Sequence, residues 1–436
     1  MTYEKKYKSG LRLVVDENLN SNSVAFNMYL NVGSVNELDE EEYGISHFIE
    51  HMLFKSTKNF SANKLNKEFN TLGITPNAYT SKTATSYHFK TIKPNLEKAV
   101  ALMSDMFFNH SFDKDDLEKE RNVILEEIAM NKDDIDNLVY DTASESLFFN
   151  TSLKHPILGY EETVKAMTAE DLHNYFKKHY TPNNLVLSFA GKITMEEAQS
   201  LAENYFQNHF YQISLPNYSK TVEGELNAQP NYIKIIKNEN EQVNISIAIP
   251  VTSIYNKNHY ISKLLNIAFS YGMSSPLFEK VREQKGYVYK IYSIIEEAAQ
   301  GSALIISFST RQKNVLNAVH TIKELMNDIS KNGFTEERLK TAKNIIESGL
   351  LITLEDNFNA ADINAENITL FNEIKTYDKV LAKYNAITLE EINNMAKEVF
   401  SNKNVSICYI GKPIKENLLD EFLENTKTLE NENLEK

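Results

Sequence analysis

The 436 residues are 42% hydrophobic and 24% charged, the composition of a globular protein long enough to bury a core in each of several domains. The formal net charge of -14 argues against nucleic acid or an anionic membrane as a partner and favours basic peptides. Because Cys408 is the one cysteine, an internal disulfide and a cysteine-rich zinc cluster are excluded, and a metal would need His, Asp or Glu ligands.

The first predicted element is a strand over Leu11–Val15, close to a polar N-terminus that leaves little room for a targeting peptide. No apolar run of about 18 residues or more occurs, so no membrane-spanning helix is predicted. We therefore expect a cytoplasmic protein without a membrane partner.

The next informative element is a predicted helix over 44–54, GISHFIEHMLF. Its apolar residues recur at i, i+3, i+4, i+7 and i+8, and His47, Glu50 and His51 form a second stripe beside them. Two imidazoles one helical turn apart can bind one zinc ion, and the glutamate can remove a proton from water at that metal. This His-x-x-Glu-His order reverses the commoner His-Glu-x-x-His. A buried polar patch with hydrogen-bonded histidines is the alternative, but burying these groups would be costly.

A catalytic zinc site needs a third protein ligand and one open position. A predicted helix around 120–127 supplies several carboxylates, and Glu120 and Glu127 lie two turns apart on one of its faces. The pattern alone does not choose among these carboxylates, and a solvated helix face is the alternative for each of them.

Two stretches of the chain recur about 220 residues later. Residues 166–192 align without gaps on 386–412, and each copy predicts a helix capped by a threonine, a turn, and a short apolar strand that ends at a glycine. Residues 112–128 likewise align on 334–350. We predict an α+β fold with two homologous domains from an internal duplication, each a mostly antiparallel sheet packed with helices.

The polar segment 213–230 has the composition of a linker. We therefore predict an N-terminal domain with the zinc site over 1–212 and a homologous C-terminal domain without metal ligands over 231–436. Where the first copy has Glu120 and Glu127, the second copy has a different residue at each position, namely Ala342 and Gly349.

Several stretches spread over most of the chain match one known family. They are SGLRLVV, GISHFIEHMLFKST, NAYTSKTATSYHF, KERNVILEEI, HPILGYEETV, YTPNNLVLSFAGKI and GMSSPLFEKVREQKGYVYKIYS. On these residues the chain resembles the pitrilysin, insulysin and mitochondrial-processing-peptidase family, in particular its short bacterial-type members with two domains. The resemblance implies a zinc metalloendopeptidase that cleaves peptides or unfolded segments, with one Zn²⁺ per chain and water bound at the His-x-x-Glu-His site as nucleophile.

The resemblance also implies roles for individual residues near the metal. The zinc ligands would be His47, His51 and Glu127, with Glu126 as the rival third ligand. The base would be Glu50. Manganese and cobalt suit the same ligand types.

Glu120 matches a family glutamate thought to orient ligands or aid proton transfer. The segment Asn77, Ala78, Tyr79 and Thr80 matches an edge strand onto which an extended peptide substrate adds as a further strand. An ordinary surface strand is the alternative for this segment.

In the second half, Arg282 and Tyr289 match a pair that holds the substrate and stabilises the oxyanion of the tetrahedral intermediate. Tyr287 replaces Tyr289 if the alignment shifts by two residues. Because related enzymes bring this pair from an opposing half, the resemblance implies a dimer in which a second chain supplies it. A homodimer is expected, and a heterodimer with a related ligand-free chain is the alternative. A non-catalytic scaffold subunit of the same fold is the alternative from another functional class.

Overall fold

The computed structural model of the chain describes residues 1–148, 151–210, 232–237, 241–297, 301–414 and 418. The predicted linker, 213–230, lies outside these residues. The described strands are β1 (Thr2–Lys6), β2 (Arg12–Glu17), β3 (Val24–Leu30), β4 (Asn77–Thr80), β5 (Thr85–Thr91), β6 (Leu185–Gly191), β7 (Tyr232–Lys237), β8 (Gln242–Val251), β9 (Val288–Glu296), β10 (Ser302–Arg311) and β11 (Ser406–Gly411).

The described α-helices are α1 (Ile45–Leu53), α2 (Ala62–Thr71), α3 (Leu96–Asn109), α4 (Lys114–Asp133), α5 (Ile135–Leu147), α6 (Glu161–Ala166), α7 (Ala169–His179), α8 (Met195–Ala202), α9 (Asn208–Phe210), α10 (His259–Ser270), α11 (Pro276–Phe278), α12 (Val315–Asn332), α13 (Glu336–Leu354), α14 (Asn357–Phe371), α15 (Tyr377–Ala386) and α16 (Leu389–Phe400). Within the described part of the chain, no helix combines the length and the apolar character needed to cross a membrane.

The chain forms two compact units, each built around one sheet. The first unit comprises Met1–Ala129, His155–Val222 and Leu350–Tyr377, and the second comprises Met130–Lys154, Glu223–Gly349 and Asp378–Lys436. Helix α5, from the first half of the chain, packs on β8, β10 and β11 of the second unit, whereas α14, from the second half, packs on β2, β3, β5 and β6 of the first. A single division of the chain at 213–230 does not describe these two helices.

The sheet of the first unit has six strands in the order β1-β2-β6-β3-β5-β4. Strands β2 and β6 are parallel, and the other neighbours are antiparallel. Both faces of the central strand β3 are buried. Phe26 and Met28 point into the main apolar core, while Ala25 and Tyr29 point to the opposite face, where α14 covers them. The sheet therefore needs α14 to bury its second face.

The sheet of the second unit has five strands in the order β7-β11-β8-β10-β9. Strands β7 and β11 are parallel, and the remaining pairs are antiparallel. The first sheet without β1, in the order β2-β6-β3-β5-β4, matches the second sheet strand for strand. The chain order of the strands and their relative directions are the same in both sheets. The predicted α+β fold with two homologous, mostly antiparallel sheets is confirmed.

The repeated helix-and-strand block has the same local structure in both copies. Thr168 and Thr388 are the N-caps of α7 and α16, and each side chain accepts a hydrogen bond from the main chain three residues later, at Asp171 and Glu391. Each helix is followed by a buried strand, β6 or β11, that ends at a glycine. The predicted cap, turn and strand are therefore confirmed in both copies.

Candidate metal centre

Helix α1 begins in a constrained and buried setting. Its N-cap, Gly44, has a φ of 95°, and a Cβ there would lie 2.7 Å from the main-chain oxygen of Leu158. The Glu37 side chain is fully buried and accepts hydrogen bonds from the N–H groups of Gly44 (2.8 Å) and Ser46 (3.0 Å). Glu37 thus satisfies two of the main-chain donors that a helix leaves free at its N-terminus. Burial raises its pKa to about 8, although these two hydrogen bonds oppose the shift.

The helix then presents the predicted pair of histidines. Ile45, Phe48, Ile49, Met52 and Leu53 are buried, which confirms the apolar stripe. On the neighbouring stripe, the rings of the two histidines lie 4.6 Å apart at an angle of 65°. The apolar side of α1 therefore fixes the helix against the core while both imidazoles remain on one face.

Helix α4 brings a carboxylate to the histidines. Glu127 Oε2 lies 3.6 Å from His47 Nε2 and 3.6 Å from His51 Nε2. One ligand atom from each residue lies within 4.8 Å of the other two. The neighbouring Glu126 is exposed and does not belong to this group. Among the predicted carboxylates, the structure thus brings Glu127 to the histidine pair.

The distances from the carboxylate to the two imidazoles suit a zinc ion. Tetrahedral zinc with bonds of about 2.0–2.2 Å holds its ligand atoms roughly 3.3 Å apart, close to the 3.6 Å that separates the carboxylate from each imidazole. Two imidazoles and one carboxylate also form a donor set typical of catalytic zinc, which keeps a fourth position open. The Glu127 side chain is 39% exposed, so the group is accessible from solvent.

The electrostatics leave His47 ready to coordinate. Burial, and to a smaller extent the neighbouring His51, lowers the pKa of His47 to about 3. The ring is therefore neutral at physiological pH, and a neutral imidazole is the form that binds a metal.

A carboxylate and an amine hold the second histidine. Glu120 is buried, and its Oε2 lies 3.1 Å from His51 Nδ1 while its Oε1 lies 2.6 Å from Lys55 Nζ. Burial alone would raise the pKa of Glu120, but the hydrogen bonds from His51 and Lys55 outweigh it and lower the pKa. Burial acts to lower the pKa of His51, but the Glu120 hydrogen bond and nearby carboxylates outweigh it and raise the pKa. An ionised Glu120 turns Nε2 of His51 toward the other donors.

Glu50 lies one residue before His51 and bonds to the adjacent sheet. Thr80 Oγ1 donates a hydrogen bond of 2.6 Å to Glu50 Oε2. Burial raises the pKa of Glu50, while the Thr80 hydrogen bond opposes the rise. The Glu50 carboxylate is therefore partly desolvated, and the Thr80 hydroxyl holds it in place.

The segment Asn77–Thr80 is β4, which lies at the edge of the first sheet and pairs with β5. Its side chains alternate between the two faces. Thr80 points to α1, whereas the hydroxyl of Tyr79 donates to the carboxylate of Asp362 on α14, with oxygen distances of 2.8 and 3.0 Å. The structure thus places three predicted groups, the histidine pair, Glu50 and the edge strand, in one unit.

Arg282 and Tyr289 belong to the second unit. Arg282 lies in a π-helical turn, 279–284, and its guanidinium carbon is 5.6 Å from the centre of the Tyr289 ring. Tyr289 is 82% exposed, whereas Tyr287 packs against the apolar core of the unit. Arg282 and Tyr289, the two residues of the predicted pair, therefore lie side by side within this unit.

Helix α13, which corresponds to α4 in the second half of the chain, does not offer a comparable set of metal-ligand donors. In α13, a buried Ala342 and Gly349 replace the two glutamates of the first copy. The described residues contain one group of three or more possible metal ligands, the one formed by His47, His51 and Glu127.

Three features of the site were not predicted from the sequence. They are the Glu37 cap on α1, the Lys55 contact to Glu120, and the hydrogen bond between Thr80 and Glu50. Lys55 follows His51 by one helical turn, so its spacing could have indicated a contact on that face. Glu37 and Thr80 bond to α1 through the tertiary fold, and no local spacing indicates their partners.

Comparison with known proteins places the chain in a family. Residues 12–161 match the family described as Insulinase (Peptidase family M16), and residues 166–346 match the Peptidase M16 inactive domain. An uncharacterized zinc protease, YmxG of Bacillus subtilis (strain 168), is 32% identical over 400 residues, which cover 91% of this chain and 96% of that protein. The chain belongs to peptidase family M16. The resemblance to the pitrilysin and insulysin family is thereby confirmed.

Other relatives of this M16 protein match it over nearly the full length of both chains. An uncharacterized zinc protease of Rickettsia felis (strain ATCC VR-1525 / URRWXCal2) is 31% identical, covering 92% of this chain and 95% of that protein. The crystal structure of a protease from Helicobacter pylori superposes with a TM-score of 0.84 at 20% identity, covering 95% of this chain and 99% of the other. A structure described as peptidase M16 inactive domain from Pseudomonas fluorescens gives 0.86 at 16% identity, covering 95% and 98%. These two structures share the M16 fold.

Proposed function

We propose that this M16 protein is a zinc-dependent endopeptidase that cleaves peptides or unfolded segments. The observation that carries the proposal is the convergence of His47, His51 and Glu127, whose donor atoms lie within 4.8 Å of one another. Bound zinc would supply a Lewis acid that activates water and polarises the scissile carbonyl. The net charge of -14 favours basic peptides as substrates.

Glu50 is the proposed general base. It takes a proton from the attacking water, holds it on its carboxylate, and gives it to the nitrogen of the leaving amine when the peptide bond breaks. Burial raises the pKa of Glu50 from its ordinary value, which favours a group that must both accept and release a proton near neutral pH. Its position next to His51 supports this role.

Glu120 and Lys55 are proposed to hold the metal ligand His51 in place. The carboxylate accepts from Nδ1 of the imidazole and fixes the tautomer whose Nε2 carries the lone pair. The 2.6 Å contact with Lys55 keeps that carboxylate ionised and limits its rotation.

The substrate is proposed to add to β4 as a further antiparallel or parallel strand. In the described sheet β4 pairs on one side, with β5, so its other edge can accept main-chain hydrogen bonds. Such bonds do not depend on side chains, which suits an enzyme for many peptide sequences.

Arg282 and Tyr289 are proposed to donate hydrogen bonds to the oxyanion that forms at the scissile carbonyl. The high exposure of Tyr289 supports it over Tyr287, whose ring is packed against the core. We propose that a second copy of the chain supplies this pair in a homodimer. A related, ligand-free chain is the alternative source of the pair.

The proposal is tested by measuring zinc content and cleavage of a quenched fluorescent basic peptide for the wild-type protein and for Glu50→Gln. We expect about one zinc per chain in both proteins, with cleavage that a chelator abolishes and that the variant lacks. A wild-type protein that binds zinc but cleaves no peptide, alone or with a related chain added, would show a scaffold subunit. Activity that appears only after a related chain is added would show a heterodimeric enzyme.

A further inference from the structure

The outer edge of β4 can be assigned from its hydrogen bonds. The N–H of Ser81 donates to the main-chain oxygen of Ala84 at 2.7 Å, so these two residues occupy a bonded position at the turn that joins β4 to β5. Bonded and non-bonded positions alternate along an antiparallel pair. Tyr79 is therefore bonded to β5, whereas Ala78 and Thr80 turn their main-chain N–H and C=O groups to the open edge.

A second contact agrees with this assignment. The N–H of Ala78 donates to the side-chain oxygen of Asn77 at 2.9 Å, a contact within β4 itself. An N–H that faced β5 in a bonded position would instead donate to a main-chain oxygen of that strand. An added peptide strand would therefore replace the Asn77 side chain at the Ala78 N–H and would bond to the main chain of Thr80.

Thr80 contributes to the site through both its main chain and its side chain. Its main chain lies at the open edge of β4, and its side-chain hydroxyl donates to Glu50 Oε2 at 2.6 Å. The opposite face of β4 is held by Tyr79, whose hydroxyl bonds to Asp362 at 2.8 Å. The strand is therefore held from both faces, and the position of the Thr80 hydroxyl is set by the strand that would receive the substrate.

We propose that Thr80 is a positioning residue that aligns the base Glu50 with the main chain of a peptide bound on β4. This inference rests on the proposed peptidase function. The hydroxyl occupies Oε2 of the carboxylate and fixes its rotation, which leaves Oε1 for the proton that moves from water to the leaving amine. A peptide on β4 would bond to the N–H and C=O of Thr80, and the side chain of the same residue holds Glu50. Thr80 would therefore set the distance between the scissile carbonyl of the peptide and the Glu50 carboxylate.

Such a role predicts an effect on turnover rather than on binding. Replacing Thr80 by valine keeps the size and the β-branched shape that favours a strand, and it leaves the main-chain donors and acceptors in place. The substitution removes only the hydrogen bond to Glu50. Peptide affinity and zinc affinity should therefore persist while the carboxylate loses its orientation.

The test compares Thr80→Val, Thr80→Ser and a matched control, Thr2→Val. Thr2 lies in β1 at the other edge of the same sheet, and its hydroxyl also donates to a carboxylate, Asp16 Oδ1, at 3.2 Å. We measure kcat and KM with a quenched peptide, zinc affinity by chelator competition, and binding of a labelled uncleaved peptide to the metal-free protein. The metal-free readout does not depend on activity.

We expect Thr80→Val to lower kcat about tenfold, while KM, zinc affinity and peptide binding by the metal-free protein stay within about twofold. Thr80→Ser should recover most of the lost kcat because it restores the hydroxyl, and Thr2→Val should match the wild type. A kcat within about twofold of the wild type in Thr80→Val, or an equal loss in Thr80→Ser, overturns the inference. So does a loss of zinc or peptide binding, which would show a structural role.

The failure of this inference differs from the failure of the proposed function. If the wild-type protein cleaves no peptide and Glu50→Gln changes nothing, the peptidase proposal fails first. If the wild type is active, Glu50→Gln is inactive and Thr80→Val is unaffected, only the positioning role of Thr80 fails.

Discussion

The buried cap on α1 leads to a quantitative prediction for Glu37→Gln in the metal-free protein. Because burial raises the pKa of Glu37 from 4.5 to about 8, the folded protein holds this proton more tightly than the unfolded chain. The resulting stability is complete below about pH 4.5 and is lost as the pH rises through about 8. Glutamine stays neutral throughout, so it should not show this loss.

The size of the effect follows from proton linkage. With these two pKa values, the contribution of Glu37 to the free energy of unfolding falls by about 2–3 kcal/mol between about pH 6 and about pH 8.5. Urea unfolding of the wild type and Glu37→Gln at both pH values measures it, with the exposed Glu41→Gln as the control for loss of one acidic side chain. We expect the wild type to lose stability relative to Glu37→Gln as the pH rises, and the Glu41 variant to follow the wild type.

A difference between the wild type and Glu37→Gln that stays constant with pH would refute the reasoning. It would mean that the two N–H groups of Gly44 and Ser46 keep the carboxylate ionised in spite of its burial. Glu37→Ala provides an independent check. It leaves both N–H groups without their acceptor, at a cost of roughly 1–3 kcal/mol each, so the unfolding free energy should fall by about 2–6 kcal/mol.

Three further predictions concern the metal and the dimer. Glu127→Gln should weaken zinc binding in chelator competition by at least about tenfold, while the adjacent Glu126→Gln should not, and an equal loss in both would contradict the ligand assignment. Lys55→Met should weaken zinc binding about tenfold because it removes the contact that holds Glu120 against His51. Zinc affinity equal to that of the wild type would show that Lys55 does not contribute to metal binding. In a homodimer that shares its sites, a 1:1 mixture of inactive Glu50→Gln and Arg282→Ala should recover about a quarter of the wild-type activity. No recovery after the chains have exchanged would argue that the arginine does not act on the partner's site.

Local patterns in the sequence predicted that three side chains of the candidate site share one helix. The spacing of His47, Glu50 and His51 implied one helical stripe because 3.6 residues form a turn, and the structure has that stripe. The family resemblance indicated Glu127 over Glu126, and the geometry agrees because Glu127 approaches both imidazoles. His47, Glu50 and His51 are close in space because one helix, α1, carries all three, and sequence patterns record that kind of proximity. Glu127 lies on another helix, α4, and the resemblance rather than a spacing indicated it.

The internal repeat predicted the paired sheets for a similar reason. Each copy carries its own cap, helix and strand, so the same local interactions form twice and the strand orders agree. The repeat did not predict the exchange of α5 and α14. Each of these helices packs on a sheet built mainly from the other half of the chain, and no local periodicity shows which sheet a helix will cover.

Contacts between distant elements explain what the sequence did not show. The hydrogen bond from Thr80 to Glu50 joins residues 30 positions apart, and the contact between Lys55 and Glu120 joins the residues after α1 to α4. Such pairs depend on how β4, α1 and α4 pack together. Their identity follows from the fold rather than from any spacing.

The placement of α14 has a consequence for synthesis on the ribosome. The first sheet lacks the cover for its second face until the segment up to Tyr377 has been translated, because α14 supplies that cover. Nascent chains that carry only the first 212 residues would display the apolar and small residues of β3 and β6 to chaperones and proteases. The sheet beside the candidate metal centre is therefore completed late, by a helix from the second half of the chain, whose described residues form no candidate metal group.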